Sequence, residues 1–211
     1  MPKPIPMLMP IPSVATPEPQ TDWHDGWWAR ARHCPSPNFG PRPAGVEPSL
    51  AIVHSISLPP GVYGGDEVER FFLNQLDVSA HPYFAALRDL SVSAHFFIRR
   101  DGHCIQFVSC RERAWHAGGS AWRGRPNCND YSVGIELEGL EGEPFDAAQY
   151  AALCELLHAV AGQDRCLEVA GHEHVSAGRK ADPGAGFEWP QLIARLGWPH
   201  RCFPEAVVAP D

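Results

Sequence analysis

Leu50-Ala51-Ile52-Val53-His54 is almost wholly apolar, has β-branched residues at its centre, and stops on a histidine followed by Ser55. Such a run reads as a short buried strand, which other layers of the protein must cover. A second strand signal, Tyr131 to Glu138, alternates instead. Val133, Ile135 and Leu137 point one way, while Gly134, Glu136 and Glu138 point the other. Between them lie Ala94–Ile98 and Cys104–Val108, joined by Arg99-Arg100-Asp101-Gly102, whose Asp-Gly pair signals a hairpin. Asp66–Leu76 and His81–Leu90 have the spacing of short helices. Asp146 is placed to cap a helix running to Val160, with Tyr150, Leu153, Leu157 and Val160 as its buried stripe and Gly162 as its stop. Phe187–Leu196 reads as a last helix. Strands and helices in this order predict an α/β domain with a mixed sheet.

The 211 residues suffice for one domain with a sizeable core. Residues 1–25 read as a flexible proline-rich arm, 26–198 as the domain and 199–211 as a tail. Trp27–Glu47 reads as irregular, with Trp27 and Trp28 packing over the body. A formal net charge of -8 weighs against nucleic acid as a partner, since phosphate binding needs clustered cations. Five prolines by position 12 make a poor export signal, and no stretch approaches the length of a membrane span. A cytoplasmic protein with no membrane partner is expected. Seven cysteines without a CxxC pair read as free thiols, with Cys104, Cys154 and Cys166 as small buried hydrophobes. No apolar repeat suggests a partner helix, so a monomer is expected.

Three features have the makings of a metal site, which needs neutral imidazoles or anionic ligands that converge. His54 ends a buried strand. His172 follows Gly171, and Asp182 sits in Lys180-Ala181-Asp182-Pro183-Gly184, where Pro and Gly fix the backbone. The spacing does not separate His172 from His174, and the default role of a strand-end histidine is structural. Glu136 faces away from the apolar side of its strand, beside Gly134, which leaves room above the sheet for a ligand. A carboxylate there can exchange protons with a metal-activated water, whereas Glu138, nearer the loop, reads as a surface acid. Lys180 is one of only two lysines and is suited to stabilise an oxyanion. Arg123 and Arg125, in the glycine-rich loop Trp115–Asn129, are suited to the carboxylates of an anionic peptide.

Five segments in order carry a specific resemblance: ARHCPSPNFGPRP, IVHSISLPPGVYGG, SAHFFIRRDG, RAWHAGGSAWRGRPNCNDYSVGIELEG and GHEHVSAGRKADPG. From about Gly26 to about Leu196 the chain resembles the zinc-dependent type 2 N-acetylmuramoyl-L-alanine amidases, which share their fold with T7-type lysozyme and the peptidoglycan recognition proteins. The resemblance implies an α/β domain whose central mixed sheet is flanked by helices. It implies one zinc ion per chain on His54, His172 and Asp182, and so favours His172 over His174. It further implies Glu136 as catalytic acid–base, Lys180 as oxyanion stabiliser, and His116 and Asn129 at the substrate groove. The implied substrate is an anhydromuropeptide, with a 1,6-anhydromuramyl end and an L-alanyl-γ-D-glutamyl-diaminopimelyl stem. Departures are a longer N-terminal arm, SAGRK in place of a proline before GRK, and histidine at 174. Competing expectations are a non-catalytic muropeptide-binding module, an amidase acting on intact wall, and a metallopeptidase, for which the HExxH pattern is absent.

Overall fold

The computed structural model describes residues 22–162 and 167–208. Its main sheet has strands β1 (Arg32–His33), β2 (Leu50–Ile56), β3 (Phe96–Ile98), β4 (Cys104–Gln106), β5 (Ser132–Glu138) and β6 (Glu168–Gly171). Across the sheet they lie in the order β6-β2-β5-β3-β4-β1. All neighbours are parallel except β3 and β4, which form the expected antiparallel hairpin. Gly102, at φ +86°, takes the left-handed conformation that this tight turn requires. The sheet is therefore mixed.

Residue alternation along β2 and β5 divides the core in two. Ala51, Val53, Val133, Ile135 and Leu137 point to one face, where α2 (Ala147–Ala161) and α4 (Trp189–Leu196) cover them. On α2, Leu153, Leu156 and Leu157 are fully buried, each contributing about 1.5–3 kcal/mol by leaving water. Gln149 Oε1 accepts from the Asp146 N–H at 3.0 Å, closing the start of that helix. Beyond the hairpin, Phe97, Ile105 and Phe107 pack against Val68, Phe71 and Phe72 of α1 (Glu67–Phe72). A third cluster joins Leu50 and Ile52 to Ala117, Cys128, Tyr131 and Val175.

Several boundaries differ from the sequence expectation. β2 continues past His54 to Ile56, because its pairing with β5 continues through Glu138. The first helix stops at Phe72, and Pro82–Leu87 is 3-10 rather than α-helical. On α2, Leu156 and Ala161 are buried, while Val160 is only half-buried. The segment read as irregular contains the edge strand β1 and Phe39–Pro41, which pairs with Glu112–Ala114. Within the segment read as a tail, Cys202 and Phe203 enter the core. At the other end, Trp23–His24 pairs with Trp27–Trp28, and Trp28 is buried. The described cysteines are free thiols, Cys104 buried and Cys154 half-buried; Cys166 lies outside the described residues. Among the described residues no helix is long and apolar enough to cross a membrane.

Candidate metal centre

Parallel register assembles the site at the carboxyl ends of three adjacent strands, the usual position for ligands on an α/β sheet. Glu136 on β5 pairs with His54 on β2, and Gly171 on β6 pairs with Val53. His172, the next residue, therefore arrives beside His54 as the first residue of α3 (His172–Val175). The chain then loops back so that the Asp182 carbonyl accepts from the Glu173 N–H at 2.8 Å, which delivers the Asp182 carboxylate to both imidazoles.

His54 Nδ1 lies 3.0 Å from His172 Nδ1 and 3.1 Å from Asp182 Oδ2, and His172 Nδ1 lies 3.0 Å from the same oxygen. Hydrogen bonding does not satisfy this triangle. If both imidazoles donate from Nδ1 to the carboxylate, their two N–H groups face each other across 3.0 Å. A shared cation resolves the conflict, because every vertex then acts as a lone-pair donor. Ligand atoms of tetrahedral zinc stand about 3.3 Å apart, close to the separations here. Protonation states also fit. Burial lowers His54 to about 4, keeping it neutral. Burial pushes the Asp182 carboxyl upward, but hydrogen bonds from His172 and His54 outweigh it, and the net displacement is down. Two histidines and one carboxylate, all buried, form a donor set suited to a catalytic zinc ion.

Glu136 is 8% exposed, and its Oε2 is buried with no hydrogen-bond partner. Burial, and then the charge of Asp182, raise this carboxyl well above its ordinary value; Lys180 pulls it back. Lys180 itself is exposed on the loop between α3 and Asp182. His174 is held apart from this chemistry. Because α3 is helical, its Nδ1 accepts from the Gly171 N–H at 2.9 Å, and its ring packs on Trp189.

The remaining expected site residues make contacts within the protein. Arg123 pairs with Glu168 at 2.9 Å and donates to the Arg201 and Phe203 carbonyls. Arg125 stacks over the Tyr131 ring at 3.7 Å. Asn129 is buried, and its Oδ1 accepts from the N–H groups of His116 and Ala117. His116 Nδ1 lies 3.0 Å from His54 Nε2. The room above Gly134 is filled by this imidazole, since a Cβ there would sit 2.4 Å from His116 Cγ. Glu138 is buried rather than surface-facing: it accepts from the Gly64 N–H at 2.6 Å and the Arg100 N–H at 3.0 Å, tying the 57–65 loop to the hairpin.

Sequence reasoning missed the support beneath the site. Arg42 is only partly exposed, and burial lowers its guanidinium to about 10. It donates to the carbonyls of Cys110, Asn129, Asp130 and Ser132 and meets His95 Nε2 at 3.0 Å. His95, fully buried, accepts from the Gly134 N–H at 2.9 Å. The sole hint of this layer was a polar residue inside a strand-like run, Ala94-His95-Phe96.

Residues 45–185 match the N-acetylmuramoyl-L-alanine amidase family. The chain is 45% identical over 172 residues to the 1,6-anhydro-N-acetylmuramyl-L-alanine amidase AmpD of Citrobacter freundii, covering 81% of this chain and 92% of that protein. A crystal structure of a selenomethionine AmpD derivative matches with a TM-score of 0.80 at 44% identity, covering 82% of this chain and 98% of that one. The amidase AmiD of Escherichia coli, solved with its substrate anhydro-N-acetylmuramic acid-L-Ala-D-γ-Glu-L-Lys, matches with a TM-score of 0.52 at 27% identity, over 73% of this chain and 60% of that one. Sequence, fold and converging metal donors agree, and the chain belongs to the N-acetylmuramoyl-L-alanine amidase family.

Proposed function

We propose that this chain is a zinc-dependent amidase that cleaves the amide between the lactyl group of 1,6-anhydro-N-acetylmuramic acid and L-alanine in muropeptides, within peptidoglycan recycling. The observation that carries this reading is the triangle of His54 Nδ1, His172 Nδ1 and Asp182 Oδ2, beside a buried, unpartnered carboxyl oxygen. Relatives named for this activity support the substrate. When bound by these three side chains, zinc supplies Lewis-acid polarisation of the scissile carbonyl and lowers the pKa of an attacking water.

The chain's own residues do the rest. Glu136 Oε2 takes a proton from the attacking water as the new C–O bond forms. The same oxygen later delivers that proton to the alanine nitrogen as the C–N bond breaks. Its raised proton affinity suits the second step, because a carboxyl of ordinary acidity holds a proton poorly near neutral pH. Lys180 sets its ammonium against the oxyanion of the tetrahedral intermediate. Asp182 contributes the one carboxylate among the three donors, leaving the metal-bearing centre net positive and attractive to that developing charge. The reading includes a cytoplasmic location.

Product analysis tests the proposal. Zinc-loaded enzyme given an anhydromuropeptide releases anhydro-N-acetylmuramic acid and a peptide with a new alanine amine, and works far more slowly on intact wall polymer. Full activity in a preparation free of metal would overturn it. Cell fractionation checks the location.

A further inference from the structure

A histidine that serves a metal through Nδ1 carries its proton on Nε2, and His54 Nε2 points at another imidazole rather than at solvent or a carbonyl. We propose that His116 is a positioning residue of the metal centre: its Nδ1 accepts the Nε2–H of His54, fixing that ligand's tautomer and ring orientation. This inference rests on the zinc-amidase reading and adds a residue to it. The two nitrogens are 3.0 Å apart and the rings stand at 89°. Once Nδ1 accepts, the His116 proton sits on Nε2, which faces Ser132 Oγ at 3.3 Å. Both ring nitrogens are thereby engaged within the protein, so His116 has none left for substrate.

Three further residues hold His116 in place. Asn129 Oδ1 accepts from the backbone N–H of His116 at 3.2 Å and of Ala117 at 2.7 Å, fixing the main chain from which the ring projects. Ser132 on β5 takes the far nitrogen. Gly134, two residues along the same face of β5, lets the ring lie on the sheet, because a Cβ there would sit 2.4–2.6 Å from three of its atoms. His116, Asn129, Ser132 and Gly134 thus form one unit whose output is the orientation of His54. Partners of this kind, one shell out from a ligand, set metal affinity rather than the identity of the reaction.

Zinc affinity, measured by competition with a chromophoric chelator on the full chain, tests the assignment. His116→Ala is expected to weaken zinc roughly 10–100-fold. In His116→Asn the shorter side chain places an acceptor oxygen near the position of Nδ1, and affinity should return to within about threefold of wild type. A merely space-filling histidine would not be rescued this way. In the zinc-loaded protein, the imidazole N–H proton of His54 should be protected from exchange and become labile in His116→Ala. Unchanged zinc affinity in His116→Ala, or His116→Asn no better than alanine, would overturn the proposal. Should the alanine variant not fold, His116→Asn decides alone: a loss below about threefold supports the role and a larger one refutes it. Failure of the wild type to bind zinc would instead sink the amidase reading itself.

Discussion

The two faces of β2 and β5 are built from alternate residues of the same strands, yet they answer to different physics. On the helix-covered face, Val53, Val133, Ile135 and Leu137 meet α2 and α4 through shape and apolar area alone. On the opposite face β2 presents Leu50 and Ile52 before His54, while β5 ends with Glu136 and Glu138. There each buried polar atom needs a partner, and Glu136 Oε2 and His172 Nε2 have none. One face maximises stability; the other spends some of it on chemistry. Burying a carboxyl oxygen without a hydrogen bond costs about 1–3 kcal/mol or more.

The contrast is open to direct attack. Glu136→Gln bears on it most heavily: turnover should fall roughly 10²–10⁴-fold, with zinc content near one per chain, read by steady-state assay and metal analysis. Near-normal turnover would remove the acid–base role. Leu153→Ala on the other face should cost about 2–5 kcal/mol in urea unfolding while the folded fraction keeps its kcat. A large loss of kcat per folded molecule would show that the faces are coupled.

Acid should strain the polar face. Burial, and then the Arg42 charge, lower His95 from 6.5 to about 3, so the folded protein keeps it neutral while the unfolded chain protonates it. Its contribution to stability is complete above pH 6.5 and is lost as pH falls toward 3, by up to about 1.4 kcal/mol per pH unit. His54, lowered to about 4, adds in the same direction. Glu136 opposes them, since a raised carboxyl gains stability on acidification, so metal-free Glu136→Gln is the cleaner background for urea titrations at several pH values. A flat profile there would contradict the buried, neutral histidines. The smallest effect is expected from Arg123→Ala, under about 1 kcal/mol in stability with KM unchanged, because its donors already serve Glu168 and the chain near Phe203. A marked rise in KM would place Arg123 at the substrate groove.

Much of the scaffold was legible because its signals are local. The alternation at Tyr131–Glu138, the apolar run at Leu50–Val53, the Asp-Gly turn and the stripe on α2 each follow from a period or a turn that neighbouring residues declare. The metal donors were partly legible: spacing marked His54 and Asp182 as candidates, but it left His172 and His174 equivalent until the resemblance separated them. The physical reason for their difference is that the strand ends at Gly171. From there a helical turn aims one imidazole at His54 and the other back at the Gly171 N–H.

What the amino-acid order determined by itself was the layering, the hairpin and the residue types able to hold zinc, since hydrophobic period and side-chain chemistry are properties of the chain. Only tertiary structure decided which polar groups meet. Register places His54 between His172 and Glu136, and the loop from Trp115 folds His116 over Gly134. Arg42 arrives from a proline-rich segment to bind four carbonyls on distant strands and loops. Such pairings join residues far apart in the chain, and their energy depends on burial and on partners that no local window of sequence contains.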